Sequence, residues 1–96
     1  MRKIYFGDFR KILIQHYKEI ETQDPEHQST EWFLLRHLKR IEKSAEQESS
    51  PGRVENSMRG FIRFYIDNID EHSPLGERCL KIYAEYRKTL RRYQQE

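Results

Sequence analysis

All three prolines in this chain follow a residue that caps helices well: Asp24-Pro25, Ser50-Pro51 and Ser73-Pro74. A residue before proline is pushed out of the α region toward extended geometry, which is the geometry of an N-cap. Proline itself suits the first helical position, because its missing N–H would have no intrahelical partner there. Each pair therefore reads as the end of a connection and the start of a helix. The pairs fall at nearly even intervals and cut the chain into four segments, each with helical periodicity. The expected fold is all-α: a single domain over 1–96, an antiparallel four-helix bundle with helices over 8–22, 25–46, 52–70 and 74–94.

The first segment opens at Asp8, an N-cap candidate after Gly7. Phe9, Ile12, Leu13, His16, Tyr17 and Ile20 follow the spacing of one buried stripe, with Ile14 off it. The second segment can open at Asp24-Pro25, or instead at Ser29 or Thr30; its stripe is Leu34, Leu38, Ile41 and Ala45. The run from Ala45 to Gly52 is the most polar in the chain and reads as a loop. Val54, Met58, Phe61, Ile62, Tyr65, Ile66 and Ile69 form the third stripe, and Phe64 adds another side. A helix this apolar is expected at the centre. Gly60 inside it either admits a close neighbour or is a weak point, costing about 1 kcal/mol against alanine. Leu75, Cys79, Ile82, Tyr83, Tyr86, Leu90 and Tyr93 form the fourth stripe, whose spacing resembles a bundle seam. No segment shows strand-like alternation of useful length.

Hydrophobic and charged residues each make up 35% of the chain, a balance that could suit disorder. Aromatic residues placed periodically among Leu and Ile argue instead for a folded helical domain with charged outer faces. A chain of 96 residues buries only about 60–65% of its unfolded surface, enough for one modest core and no deep cavity beside it. The single cysteine, Cys79, makes no intramolecular disulfide and no cysteine-rich zinc site, which fits a reducing cytosol. The N-terminus from Met1 to Asp8 has no apolar run of signal-peptide length, and no stretch approaches the roughly 20 apolar residues of a membrane span. A soluble, cytoplasmic protein with no membrane partner is expected.

Catalytic chemistry has little to stand on. His16, His27, His37 and His72 lie on different segments, and none has a His or Cys three or four residues away. Cys79 occupies a seam position, where a cysteine behaves as a small hydrophobe. There is no Gly-rich phosphate loop and no nucleophile elbow. The expectation is therefore no enzyme, no catalytic residue, no metal and no cofactor. One motif bears on phosphotransfer. Leu35-Arg36-His37-Leu38-Lys39-Arg40 resembles the histidine phosphotransfer domains, four-helix bundles with an exposed helical histidine and a lysine three residues later. Here Arg40 stands at that third place and Lys39 one place early. Arg40, Ile41 and Glu42 occupy positions where that family usually has the lysine and small residues. The resemblance covers those residues alone; it implies a phosphotransfer-like module, against a plain surface histidine in a charged helix.

The formal net charge is only +2, but both ends are basic and the middle is mildly acidic. On the fourth helix, Lys81, Arg87, Lys88, Arg91 and Arg92 form the candidate nucleic-acid surface; Arg36, Lys39, Arg40 and Lys43 cluster on the second, and Arg59 and Arg63 on the third. Such clusters can track phosphates. Cations near a helix C-terminus also complement its dipole, and a pI of about 8.7 is low for a nucleic-acid binder. The aromatic surplus is more specific. Trp32, Phe33, Leu34 and Leu35 are consecutive and span nearly the whole helix circumference, so one core face cannot hold all four. Tyr5 and Phe6 precede the first helix and must pack somewhere. Trp32, Phe33, Tyr5 and Phe6 are therefore the candidate protein-contact residues, with a symmetric dimer as one way to bury them. The function expected first is a non-enzymatic protein-interaction or regulatory module, with a homodimer among its forms. A small nucleic-acid-associated protein ranks second and the phosphotransfer module third.

Overall fold

The computed structural model describes residues 3–46 and 48–94, the side chains of 93 and 94 excepted. Among these residues the order of elements is β1 (Ile4–Tyr5), α1 (Gly7–Thr22), α2 (Thr30–Ser44), β2 (Glu48–Ser49), α3 (Pro51–Asn68) and α4 (Pro74–Gln94). Two of the three proline pairs open helices. Ser50 is extended (φ −69°, ψ 137°) and Pro51 begins α3. Pro74 begins α4, where the Ser73 hydroxyl accepts from the Gly76 N–H at 3.0 Å and donates to the Asp70 carbonyl at 2.6 Å.

The third pair does not open a helix, and the helix expected over 25–46 is corrected to Thr30–Ser44. Asp24 sits in the left-handed region at φ 49°, and Gln28 follows at φ 65°, so no helix can run continuously from Pro25. The cap is Ser29, extended at ψ 166°, whose hydroxyl accepts from the Trp32 N–H at 3.2 Å. At the start of α1 the N-cap is Phe6 rather than Asp8. Asp8 lies within the first turn, where its charge complements the dipole.

A second correction concerns strand. β1 and β2 pair antiparallel, Ile4 opposite Ser49 and Tyr5 opposite Glu48. Two residues per strand are too few for alternation to show in a sequence, and β2 falls inside the stretch that reads as a loop. The ladder ties the N-terminal segment to the α2–α3 connection. Successive strand side chains point to opposite sides, which sends Ile4 and Phe6 inward and Tyr5 outward. The Tyr5 ring lies over Gly7, where any Cβ would collide with it.

The core draws on every helix: Phe6, Phe9, Leu13 and Ile20 at the N-terminal side, Leu34, Leu38 and Ile41 from α2, Val54, Met58 and Phe61 from α3, and Cys79 and Ile82 from α4. Phe9 packs against the rings of Phe6 (6.4 Å between centroids) and Tyr86 (5.8 Å). The closely packed helix pairs are α1 with α2, α2 with α3, and α1 with α4. Ion pairs cross two of these joins: Arg10–Glu42 at 3.3 Å and Lys39–Glu21 at 2.7 Å, then Arg78–Glu19 at 2.5 Å and Arg92–Asp8 at 3.4 Å. Exposed pairs of this kind contribute about 0–1 kcal/mol each, so the apolar core carries the fold. Ile66 departs from the third stripe, being 70% exposed, and the Tyr93 side chain lies outside the described residues. The molecule measures 42 × 22 × 19 Å. No helix among the described residues is long and apolar enough to cross a membrane.

Candidate functional site

Burying Leu34, Leu38 and Ile41 fixes the rotation of α2 and turns Trp32, Phe33, Arg36, Arg40 and Lys43 outward. Their spacing brings rings and cations together along one strip. His27 meets Trp32 edge-on at 4.6 Å, Trp32 meets Phe33 at 5.0 Å, Phe33 reaches Phe64 of α3 at 6.3 Å, and Phe64 meets His37 at 4.9 Å. The Arg36 guanidinium lies 5.0 Å from the centre of the Trp32 ring. A shallow depression of about 500 Å³ runs over this face, lined by Phe33, Arg36, His37, Lys39, Arg40 and Lys43. Phe33 remains 41% exposed despite its ring contacts. Gly60 of α3 faces the His37 ring, 3.9 Å from where a Cβ would stand, so its missing side chain is not demanded by close backbone approach.

The charge of the strip follows from its partners. Lys39 is held by Glu21, whereas Arg36, Arg40 and Lys43 have no ion-pair partner among the described residues. Burial first, then Arg40 and Arg36, hold the His37 pKa below the ordinary histidine value. At neutral pH the ring is therefore uncharged, and the positive field comes from the arginines and Lys43.

The remaining sequence candidates separate. Tyr5 is exposed on β1, but Phe6 is fully buried against Phe9, so it belongs to the core and offers no contact surface. On α4, Lys81 is paired with Glu77 at 3.7 Å and Arg92 with Asp8, which leaves Arg87, Lys88 and Arg91 without ion pairs among the described residues. His16 is half-buried; Nη1 of Arg78 lies 3.0 Å from its Nδ1, and burial, then Arg78, hold its pKa down. His72 is exposed beside Glu71, with 3.5 Å between its Nε2 and the carboxylate. Cys79 is buried, and burial pushes its thiol pKa up to about 12, which removes the thiolate that nucleophilic chemistry needs. Among the described residues no three His, Cys, Asp or Glu side chains converge as metal ligands.

One feature of the surface is not read from the helical stripes. Ile66 and Leu80, 70% and 46% exposed, flank an apolar recess of about 210 Å³ between α3 and α4. Phe61, Ile62, Tyr65, Cys79 and Tyr83 line it. The third stripe places Ile66 in the core, and Leu80 belongs to no stripe. The available signal was the excess of apolar side chains on α3 over what one face can bury. No protein family, curated protein or solved structure matches the chain.

Proposed function

We propose that this protein is a non-enzymatic interaction module that docks a protein partner through the aromatic and basic face of α2. The observation that carries this reading is the unbroken ring sequence His27–Trp32–Phe33–Phe64–His37 beside three cations that lack ion pairs among the described residues. Aromatic and arginine side chains supply most of the energy at protein contacts. The chemistry complementary to the face is a segment with one or two apolar anchors flanked by carboxylates, which arginine can hold with paired hydrogen bonds. The reading takes the helices as an antiparallel bundle, supported by the Asp8–Arg92 and Glu19–Arg78 pairs at opposite ends of α1. It also takes the setting as a reducing cytosol, in which Cys79 stays a thiol.

The nucleic-acid reading ranks second. Single strands are bound by stacking bases on open aromatic faces. Here Arg36 covers a face of Trp32, and Trp32 and Phe64 crowd Phe33. The test uses Trp32, the only tryptophan, as a fluorescent reporter of the face. Affinity capture with and without nuclease is run for wild type and for the combined Arg36→Gln, Arg40→Gln, Lys43→Gln variant. Protein partners that survive nuclease, are lost with the variant and change Trp32 emission on binding are expected. Submicromolar binding of a defined oligonucleotide in about 150 mM salt, abolished by combined Lys88→Gln, Arg91→Gln and Arg92→Gln, would transfer the function to the second reading.

A further inference from the structure

A two-fold contact needs one surface that both projects and receives. The face shared by α3 and α4 has both. Ile66 and Leu80 project from it, and the recess of about 210 Å³ between them receives. The recess stays open because α3 and α4, although consecutive, are not among the closely packed helix pairs.

Charge along this face is arranged end to end. Arg59 and Arg63 on α3 and Arg87 and Arg91 on α4 lie toward one end; Asp67, Asp70, Glu71 and Glu77 surround the α3–α4 turn at the other. Glu55, then Arg87 and Arg59, act on the Tyr86 hydroxyl, while Glu71 and Asp70 act on that of Tyr65, which separates the two sets along the cleft. Glu55 holds Arg59 at 3.2 Å, which leaves Arg63, Arg87 and Arg91 as the cations of the first set without ion pairs among the described residues. A second copy laid on this face in the same sense would set like charge on like. Turned end for end, it sets Arg63, Arg87 and Arg91, which lack ion pairs among the described residues, toward Asp67 and Asp70, which also lack them, while Arg59 and Glu77 keep their own partners Glu55 and Lys81.

When Ile66 of one copy sits midway between Ile62 and Ile66 of the other, the two-fold axis passes at position 65, and antiparallel α3 helices bring Arg63 of each opposite Asp67 of the other, since 63 and 67 lie equally far from 65. Neither Arg63 nor Asp67 has an ion-pair partner among the described residues. We infer that the α3–α4 face is a self-association surface, on which two copies meet about a two-fold axis with Ile66 and Leu80 of each seated in the recess of the other. This contact is distinct from the α2 face and does not depend on the function proposed for it. Stable dimers bury about 1,600 Å² in total. Two projecting aliphatic side chains per copy fall short of that, so the dimer is weak and concentration-dependent.

Sedimentation equilibrium from about 10 µM to about 1 mM tests it. Wild type should pass from monomer to dimer over that range. Ile66→Asp and Leu80→Asp should each weaken dimerisation by about tenfold or more. Ile66→Asp should do so with unchanged thermal melting, because that side chain is 70% exposed in the monomer, whereas Leu80→Asp, at a side chain 46% exposed, should also lose some thermal stability. Arg63→Asp and Asp67→Arg should each weaken it, and the two together should restore it. A wild type that stays monomeric throughout would overturn the inference. So would a dimer indifferent to Ile66→Asp, one split by Phe33→Asp instead, or a double charge variant that fails to recover.

Discussion

At position 79 a thiol lies in the seam of α4 with almost no access to water. Two effects compete there. Burial disfavours the thiolate and the neighbouring Arg78 favours it; burial is the larger and pushes the pKa to about 12. At neutral pH that leaves a thiolate fraction of about 10⁻⁵, against a few per cent for a free cysteine. Native labelling by a disulfide reagent should therefore be slower than labelling of the unfolded chain by about a thousandfold or more. Cys79→Ala should cost about 1–2 kcal/mol through the small void it leaves. Stoichiometric labelling within seconds under native conditions would remove Cys79 from the core. Phe33 and Phe6 show the limit of reading single residues. That Trp32 through Leu35 cannot share one face is geometry and is visible in the sequence. That Phe6 turns inward depends on a strand pairing with residues more than forty positions away, which no local pattern encodes.

Among the elements, the connections repay closest attention because their chemistry is decided by one or two atoms. Ser50-Pro51 and Ser73-Pro74 open helices for the reason visible in the sequence, but Asp24-Pro25 does not. The same dipeptide preference serves a turn as well as a cap, and left-handed Gln28 selects the turn. The α3–α4 turn also hides a requirement. A Cβ at Gly76 would collide with the Asp70 carbonyl oxygen and come within 2.9 Å of the Glu71 Cα. Backbone cannot rotate aside as a side chain can, so Gly76→Ala should destabilise by about 1–3 kcal/mol. Gly52, in the first turn of α3, has nothing within 4 Å of its would-be Cβ. Gly52→Ala should therefore stabilise by about 0.5–1 kcal/mol, by restricting the unfolded chain. Denaturant midpoints of the two variants should move in opposite directions. A shift of the same sign in both would contradict the geometry assigned to the α3–α4 turn.

At the scale of the molecule, four helices were legible from the stripes, but how the helices close on one another was not. A stripe reports which face is apolar and not whether a neighbour reaches it, which is why Ile66 reads as core and stands in water. Two histidines sit at joins between helices: His16 beside Arg78 of α4, and His37 against Phe64 of α3. Burial is the leading cause that holds both below the ordinary value, with nearby arginines adding to it. In the unfolded chain each binds its proton near pH 6.5. In the folded protein each binds it only at lower pH. Between those limits the unfolded state holds more protons, so acid favours unfolding. The stability from keeping these rings neutral is complete above about pH 6.5 and is lost as pH falls through that value toward the folded ones, with a slope of at most about 1.4 kcal/mol per pH unit for each ring. Glu19, held low first by its hydrogen bond to Arg78, adds a further loss below the ordinary glutamate range. Urea midpoints should fall between about pH 7.5 and pH 5.5 at constant m-value. His16→Gln keeps an acceptor for Arg78 without the proton, and His37→Gln keeps a polar side chain beside Phe64. Each should flatten the profile in part, and the two together should remove most of the slope. An unchanged slope in the double variant would place the acid sensitivity elsewhere in the chain.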